Sequence, residues 1–118
     1  MNIEELRDYC LSLKDATEDM PFDEIIVFRV LNKWFAVVDL NDLELKISVK
    51  CDANKAGELR ECYKSVKPAW HFNKKYWNSI TLNYDMDDET VKYWIRHSVE
   101  EVVKKLPKKT QSEYWSKT

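Results

Sequence analysis

The sequence predicts a two-layer α+β domain with the element order α-β3-α-β2-α and a five-stranded antiparallel sheet. Three observations predict this class: helical spacing of apolar residues near both ends, alternation of apolar and polar residues between them, and short turn-like connections. Strands joined by short hairpins pair antiparallel, and helices must bury their apolar stripes. We therefore expect the helices to pack on one face of the sheet and leave the other face open.

The first element predicted is a helix at the N-terminus. Apolar residues at three- and four-residue steps favour a helix from about Ile3 to Leu13. Asn2, with Glu5 three residues later, matches the capping box with which many helices begin. Pro21 then separates this helix from the strands.

The next elements predicted are three strands. The β-rich runs Ile25–Leu31 and Trp34–Leu40 predict a hairpin with a two-residue turn at Asn32-Lys33. Leu43–Lys50 alternates strictly between apolar and polar residues, which predicts a strand with one wet face. With this turn, the side chains expected to face the helices are Phe28, Val30, Phe35 and Val37. Those expected on the open face are Arg29, Leu31, Trp34, Ala36, Lys46, Ser48 and Lys50.

A second helix and two more strands follow. Asp52 predicts the N-cap of a helix that reaches about Tyr63. The strands Val66–Phe72 and Tyr76–Leu82 come next, and a turn around Asn73-Lys74-Lys75 joins them. This second hairpin would carry lysines at its tip.

The last predicted helix has the clearest boundaries. Apolar residues recur at helical steps over 91–106, acidic residues at 87–89 favour the helix start, and Pro107 ends the pattern. We expect residues 1–109 to form one domain and residues 110–118 to form a C-terminal tail. The sequence leaves open whether that tail folds back on the domain or reaches a neighbour.

Composition excludes several classes of protein. Hydrophobic residues make up 44 % and charged residues 34 %, and the net charge is only −2, as is typical of a folded domain. No apolar run approaches the roughly 20 residues that a membrane helix needs, and the acidic N-terminus lacks a signal-peptide pattern. With a single glycine, Gly57, the chain has no phosphate-cradling loop, so we expect no nucleotide cofactor. Three cysteines in no disulfide-like spacing indicate a cytoplasmic protein.

Catalytic and metal-binding patterns are weak. The histidines are His71 and His97, and no serine or cysteine lies in a nucleophile motif. His97 precedes Glu101 by one helical turn, which predicts a surface pair. Cys51 and Cys62 lack the spacing of metal ligands. We therefore expect a protein that is not an enzyme and that has neither a cofactor nor a metal site.

Charge is distributed unevenly along the chain. Residues 1–27 carry a net charge of −6 and residues 28–80 a net charge of +4, and no acid lies between Glu61 and Asp85. Lysines and aromatic residues are interleaved in that acid-free window. Cations that displace counterions, together with rings that stack on bases, are typical of nucleic-acid surfaces. The ordinary alternative is solvated lysines around aromatic core residues.

Several segments resemble the MmcQ/YjbR family over nearly the whole chain, from about Leu6 to Lys109. The matching segments are Phe28-Arg29-Val30, Lys33-Trp34-Phe35-Ala36, Leu45-Lys46, Pro68-Ala69-Trp70-His71-Phe72-Asn73-Lys74 with Trp77, and residues 98–109. The resemblance implies a compact α+β domain with the element order given above. The family's fold is compared with frataxin-like (CyaY-like) domains, secretion chaperones and the double-wing DNA-binding domain of the phage factor MotA, and fold alone does not fix function.

The first hypothesis is a non-enzymatic DNA-binding module that uses the open sheet face and the two hairpin tips as wings. Lysines would contact phosphates, and the remaining residues would contact or stack on bases. The candidate contact residues are Arg29, Lys33, Trp34, Lys46, Lys50, His71, Asn73, Lys74 and Lys75.

Two alternatives remain open. In one, a chaperone-like module uses the apolar part of the open face around Leu31 and Trp34 to bind a protein partner or a second copy. In the other, frataxin-like metal binding uses acidic residues on one face of the first helix, among them Glu4, Asp8 and Asp15. The ordinary interpretation of these acids is a solvated helix face.

Overall fold

The computed structural model describes residues 1–69 and 71–116. Trp70 of the family-like segment and residues 117–118 of the predicted tail lie outside the described residues. The elements in chain order are α1 (Ile3–Ser12), β1 (Thr17–Phe22), β2 (Ile25–Val30), β3 (Lys33–Asp39), β4 (Lys46–Lys50), α2 (Ala53–Cys62), β5 (Val66–Pro68), β6 (Trp77–Thr81), α3 (Asp88–Val103) and α4 (Lys108–Ser116). The predicted α+β class with an antiparallel sheet is confirmed.

The sheet contains one strand more than predicted. Its order is β1-β2-β3-β4-β6-β5, and every neighbouring pair is antiparallel. The additional strand, β1, lies at an edge, and most of its side chains are exposed, so it lacks the apolar alternation that marks a strand. Pro21 lies inside β1 rather than before the strands, a position that edge strands tolerate.

The predicted helix starts are confirmed by their caps. The Asn2 side chain accepts a hydrogen bond from the Glu5 N–H at 2.8 Å, and the Glu5 carboxylate accepts one from the Asn2 N–H at 3.1 Å. Asp52 caps α2, and Asp87 caps α3 by accepting from the Thr90 N–H at 2.8 Å. These bonds satisfy backbone donors that a helix start otherwise leaves unpaired.

The predicted register of the β2–β3 hairpin is wrong. The turn residues are Leu31 and Asn32, with φ angles of 50° and 65°, as a type I′ turn requires, so Arg29 lies opposite Trp34. The register shifts beside Phe35, and from there Ala36 lies opposite Phe28. A bulge of this kind inserts one residue into a strand and changes which side chains share a face.

The shift exchanges two residues between the faces of the sheet. Ala36 is fully buried among the core residues, whereas Val37 lies on the opposite face, so both predictions are corrected. Trp34 and Phe35 keep their predicted sides because Phe35 is the unpaired residue of the bulge and the exchange of faces begins after it. Leu31 belongs to the turn rather than to the open face of a strand.

The core lies between one face of the sheet and the helices. Its sheet side chains include Phe28, Val30, Phe35, Ile47, Val49 and Ile80. The helices contribute Leu6 and Cys10 from α1, Ala56 and Leu59 from α2, and Ile95 and Val99 from α3. Within the described residues, no helix is both long and apolar enough to cross a bilayer.

The C-terminal helix α4 folds back onto the domain. Tyr114 is 4 % exposed, and its hydroxyl donates a hydrogen bond to the Lys14 carbonyl at 2.7 Å. The Lys14 ammonium donates to the Tyr114 carbonyl and lies 5.0 Å from the centre of the tyrosine ring. These contacts attach the segment predicted as a tail to the end of α1.

Two buried polar residues of helix α3 connect it to β3, β4 and the start of α2. The Ser98 hydroxyl donates to the Phe35 carbonyl at 2.5 Å and accepts from the Lys50 N–H at 2.8 Å. His97 Nε2 accepts from the Asp52 N–H at 3.2 Å. The predicted surface pair of His97 and Glu101 is corrected, because each residue is only 7 % exposed. Burial lowers the pKa of His97 by disfavouring its charged form.

Candidate ligand groove on the open face

The face of the sheet opposite the helices carries rows of paired side chains. One row crosses five strands and consists of Val27, Val37, Ser48, Ser79 and Lys67. A neighbouring row contains Ile25 opposite Asp39, and Lys46 opposite Thr81. On the other side of the five-strand row, Arg29 lies opposite Trp34, and Lys50 lies opposite Trp77. Side chains that alternate along each strand therefore meet across the sheet in a fixed order.

Part of these rows forms the floor of a cavity of about 440 Å³, here called the groove; Val27, Arg29, Lys50 and Trp77 do not line it. At one edge of the sheet, Phe22 of β1 lines it. At the other edge, Pro68 ends β5, and His71 and Phe72 of the β5–β6 connection line it. The open face is thus a concave site bounded at both edges of the sheet.

The groove changes character along its length. Apolar and aromatic side chains line it on the side of β1 to β3: Phe22, Ile25, Trp34 and Val37. Hydroxyl groups from β4 and β6 line its middle: Ser48, Ser79 and Thr81. Lys46 and Lys67 add positive charge, and Asp39 and Asp42 add negative charge near the β3–β4 turn.

A chain of ring and cation contacts forms one wall of the groove. Arg29 donates two hydrogen bonds to Asp19 at 3.0 and 3.1 Å, and its guanidinium lies 5.6 Å from the centre of the Trp34 ring. Trp34 meets Phe72 edge-on at 6.3 Å, and Phe72 stacks on Trp77 at 4.6 Å. The connection between β5 and β6 is thereby held over the sheet.

The connection is anchored from the helix side as well. Arg60 of α2 donates through Nε to the Asn78 Oδ1 at 2.7 Å and through Nη2 to the carbonyls of Lys74 and Trp77. Asn78 is buried and donates to the Ala56 carbonyl at 3.2 Å. Arg60 therefore connects α2 to both the start of β6 and the segment that lines the groove.

The predicted second hairpin is longer than expected. Strand β5 ends at Pro68 and β6 begins at Trp77, so residues 69 and 71–76 belong to a connection in place of a tight turn at Asn73-Lys74-Lys75. The Asn73 carbonyl accepts from the N–H groups of Tyr76 and Trp77, both at 3.0 Å. This local fold turns Phe72 back over the open face.

The groove contains cations and hydroxyls that lack internal partners. Among residues 1–69 and 71–116, Lys46 and Lys67 form no ion pair, and the hydroxyls of Ser48 and Ser79 form no hydrogen bond. Asp39, in contrast, accepts from the Asn41 N–H at 2.9 Å and so helps to fix the β3–β4 turn. The lysines and serines are available to a ligand.

A second group of cations lies at the far end of β4. Burial, followed by the nearby charges of Lys105, Lys104 and Lys33, lowers the pKa of Lys50, while Glu101 acts in the opposite direction. Lys104 itself pairs with Glu101 at 2.7 Å. Positive charge is therefore concentrated where α3 ends beside the sheet.

The structure brings some of the predicted contact residues together and separates others. Trp34, Lys46 and His71 line the groove, and Arg29 contacts Trp34 beside it. Asn73, Lys74 and Lys75 lie in the connection, and the Lys75 ammonium is 5.5 Å from the centre of the Tyr76 ring. Lys33 and Lys50 belong to the second group of cations. Their role in binding DNA stays a prediction.

Residues that complete the groove were missed at the level of sequence. Phe22 was missed together with β1. Lys67 and Phe72 are not among the predicted contact residues, although Lys67 alternates with core residue Val66 in the way that assigns it to the open face. Within the described ranges, no three His, Cys, Asp or Glu side chains lie close enough to share an ion, and Asp15, predicted on a face of the first helix, follows the end of α1 at Ser12.

Comparison with known proteins places this fold in a family. A family model described as YjbR matches residues 11–100. The uncharacterized protein YjbR of Escherichia coli K12 is 28 % identical over 108 residues, which cover 91 % of this chain and 92 % of that protein. YbdF of Escherichia coli O157:H7 is 32 % identical over 89 residues, covering 75 % of this chain and 72 % of that protein.

Solved structures agree with the sequence match. The crystal structure of Deinococcus radiodurans protein DR2400, with its DUF419 domain, has a TM-score of 0.87 and 33 % identity, covering 96 % of this chain and 87 % of that one. A Pseudomonas syringae protein has a TM-score of 0.72 and 26 % identity, covering 83 % and 96 % of the two chains. The chain belongs to the YjbR family.

Proposed function

We propose that this YjbR-family protein is a binding module, not a catalyst, that holds its ligand in the groove on the open sheet face. The groove itself carries the proposal. Its volume of about 440 Å³ falls in the range typical of small-molecule sites, roughly 300–1,000 Å³. Aromatic and apolar walls with a few convergent polar groups are also what such sites share.

Filling the groove tests the proposal. The side chain of Ser48 lies on the floor, so Ser48→Phe is expected to weaken binding of the neutral fluorescent probe N-phenyl-1-naphthylamine by roughly tenfold, which corresponds to about 1.4 kcal/mol. Ser112→Phe, on the exposed surface of α4, is the matched control. Unchanged probe affinity in a Ser48→Phe protein with a native near-ultraviolet circular dichroism spectrum would contradict the proposal.

DNA binding is a second candidate, and the concentration of positive charge around Lys50 supports it. Lys33, Lys104 and Lys105 contribute to that charge. Phosphate contacts displace counterions, so binding of this kind weakens steeply as salt increases. In this candidate Arg29 and Trp34 contribute less than the sequence predicts, because they already contact Asp19 and Phe72.

A salt titration with labelled duplex DNA tests the second candidate. Lys33→Gln is expected to reduce the slope of log affinity against log salt by about one unit, since one phosphate contact is lost. Lys64→Gln, which also changes an exposed lysine, is the control and should leave the slope unchanged. Binding that is absent or independent of salt in the unmodified protein would remove this candidate.

Self-association through the open face stays a prediction, and it would compete with a ligand in the groove.

A further inference from the structure

The floor of the groove separates apolar from polar side chains in a fixed direction. In the part of the row that lines the groove, Val37 lies on β3, the serines lie on β4 and β6, and Lys67 lies on the edge strand β5. A ligand that lies along this row meets apolar surface at one end and an ammonium at the other. Such an arrangement orients an amphipathic molecule.

The charges around the groove favour an anion at the Lys67 end. Within the part of the chain that the structure describes, Lys67 has no carboxylate partner, and it lies opposite Ser79, whose hydroxyl is also unbonded. The acids Asp39 and Asp42 lie beside the β3–β4 turn, and Lys46 shares the row that contains Asp39. Nearby negative charge therefore balances part of the positive charge of Lys46. Lys67 and Ser79, in contrast, together offer hydrogen-bond donors to an anionic group.

We infer that the groove takes a small organic anion with a flat apolar body. The apolar body lies on Val37, between Trp34 and Phe22, and the anionic group lies at Lys67 and Ser79. Phe22 stands at the β1 edge of the sheet, and Phe72 stacks on Trp77 and covers part of the floor, so both limit the size of ligand that the groove accepts. This inference rests on the proposed function, because it names the class of ligand for the same site.

Two fluorescent probes that differ by one charged group test the ligand class. 1-Anilinonaphthalene-8-sulfonate carries a sulfonate that N-phenyl-1-naphthylamine lacks, and the two share their aromatic rings. We expect the sulfonate to bind several-fold more tightly. Lys67→Gln should weaken its binding by roughly tenfold, the loss of one charge-assisted contact, and should leave the neutral probe within about twofold. Lys64→Gln is the matched control and should change neither affinity.

The outcomes separate the ligand class from the existence of the site. The anion assignment is overturned if the two probes bind with equal affinity, or if the Lys67→Gln protein still prefers the sulfonate. In either case, Ser48→Phe still tests whether the groove is a binding site. If Ser48→Phe leaves both probes bound, the groove is not their site, and the proposed function itself fails. Single-stranded oligothymidylate at equal concentration could also displace 1-anilinonaphthalene-8-sulfonate completely. The groove would then bind a polymer, and the small-ligand inference would be overturned.

Discussion

Replacing Ser98 with alanine is expected to lower the free energy of unfolding by about 2–4 kcal/mol. The Ser98 hydroxyl is fully buried and bonds both the Phe35 carbonyl and the Lys50 N–H. Alanine leaves both backbone groups without a partner in the interior, and each unsatisfied group costs about 1–3 kcal/mol. Urea unfolding followed by tryptophan fluorescence measures the change.

Ser112→Ala provides the control for the loss of a serine hydroxyl. Ser112 is exposed on α4, so its replacement should change stability by no more than about 0.5 kcal/mol. A Ser98→Ala protein that loses less than about 1 kcal/mol would mean that another group satisfies the carbonyl at the bulge.

Replacing Arg60 with alanine should weaken the groove although Arg60 does not line it. The guanidinium holds the carbonyls of Lys74 and Trp77 and the side chain of Asn78. Without it, buried Asn78 loses a charged partner, which costs about 1.5–3 kcal/mol of stability. Residues 71–76 also lose their anchor, so we expect affinity for N-phenyl-1-naphthylamine to fall by roughly threefold to tenfold.

Two variants separate anchoring from charge. Arg60→Lys keeps the positive charge but loses the planar fork, so it should resemble Arg60→Ala. Arg96→Ala removes an exposed arginine from α3 and should leave stability and probe affinity nearly unchanged. Native-state hydrogen exchange should be faster at Phe72 and Tyr76 in Arg60→Ala. If Arg60→Ala has the same hydrogen exchange and probe affinity as the wild-type protein, the ring contacts of the groove wall alone hold the connection.

Features set by neighbouring residues could be predicted from the sequence. The capping box of α1 involves Asn2 and Glu5, and both partners lie within one helical turn. The strand β4 alternates clearly because one of its faces is buried and the other lines the groove. Each of these signals depends only on residues close together in the chain.

Features that depend on distant residues could not be predicted. The β2–β3 turn places Leu31 at a positive φ that leucine rarely adopts, so the composition predicts the turn one residue too late, at Asn32-Lys33. The spacing of His97 and Glu101 predicts that they are neighbours, but their burial depends on the start of α2 packing beside them. The groove needs Phe22 and Phe72, which come from opposite edges of the sheet.

Both edge strands of the sheet contain a proline, Pro21 in β1 and Pro68 in β5. Proline has no N–H group, so neither border presents an unbroken series of backbone donors to an incoming strand. Strand β1 also has a shift in register and an acidic residue, Asp19, next to it. Copies of this chain are therefore poorly suited to polymerise border to border, and the sheet is protected from growing into amyloid-like fibrils.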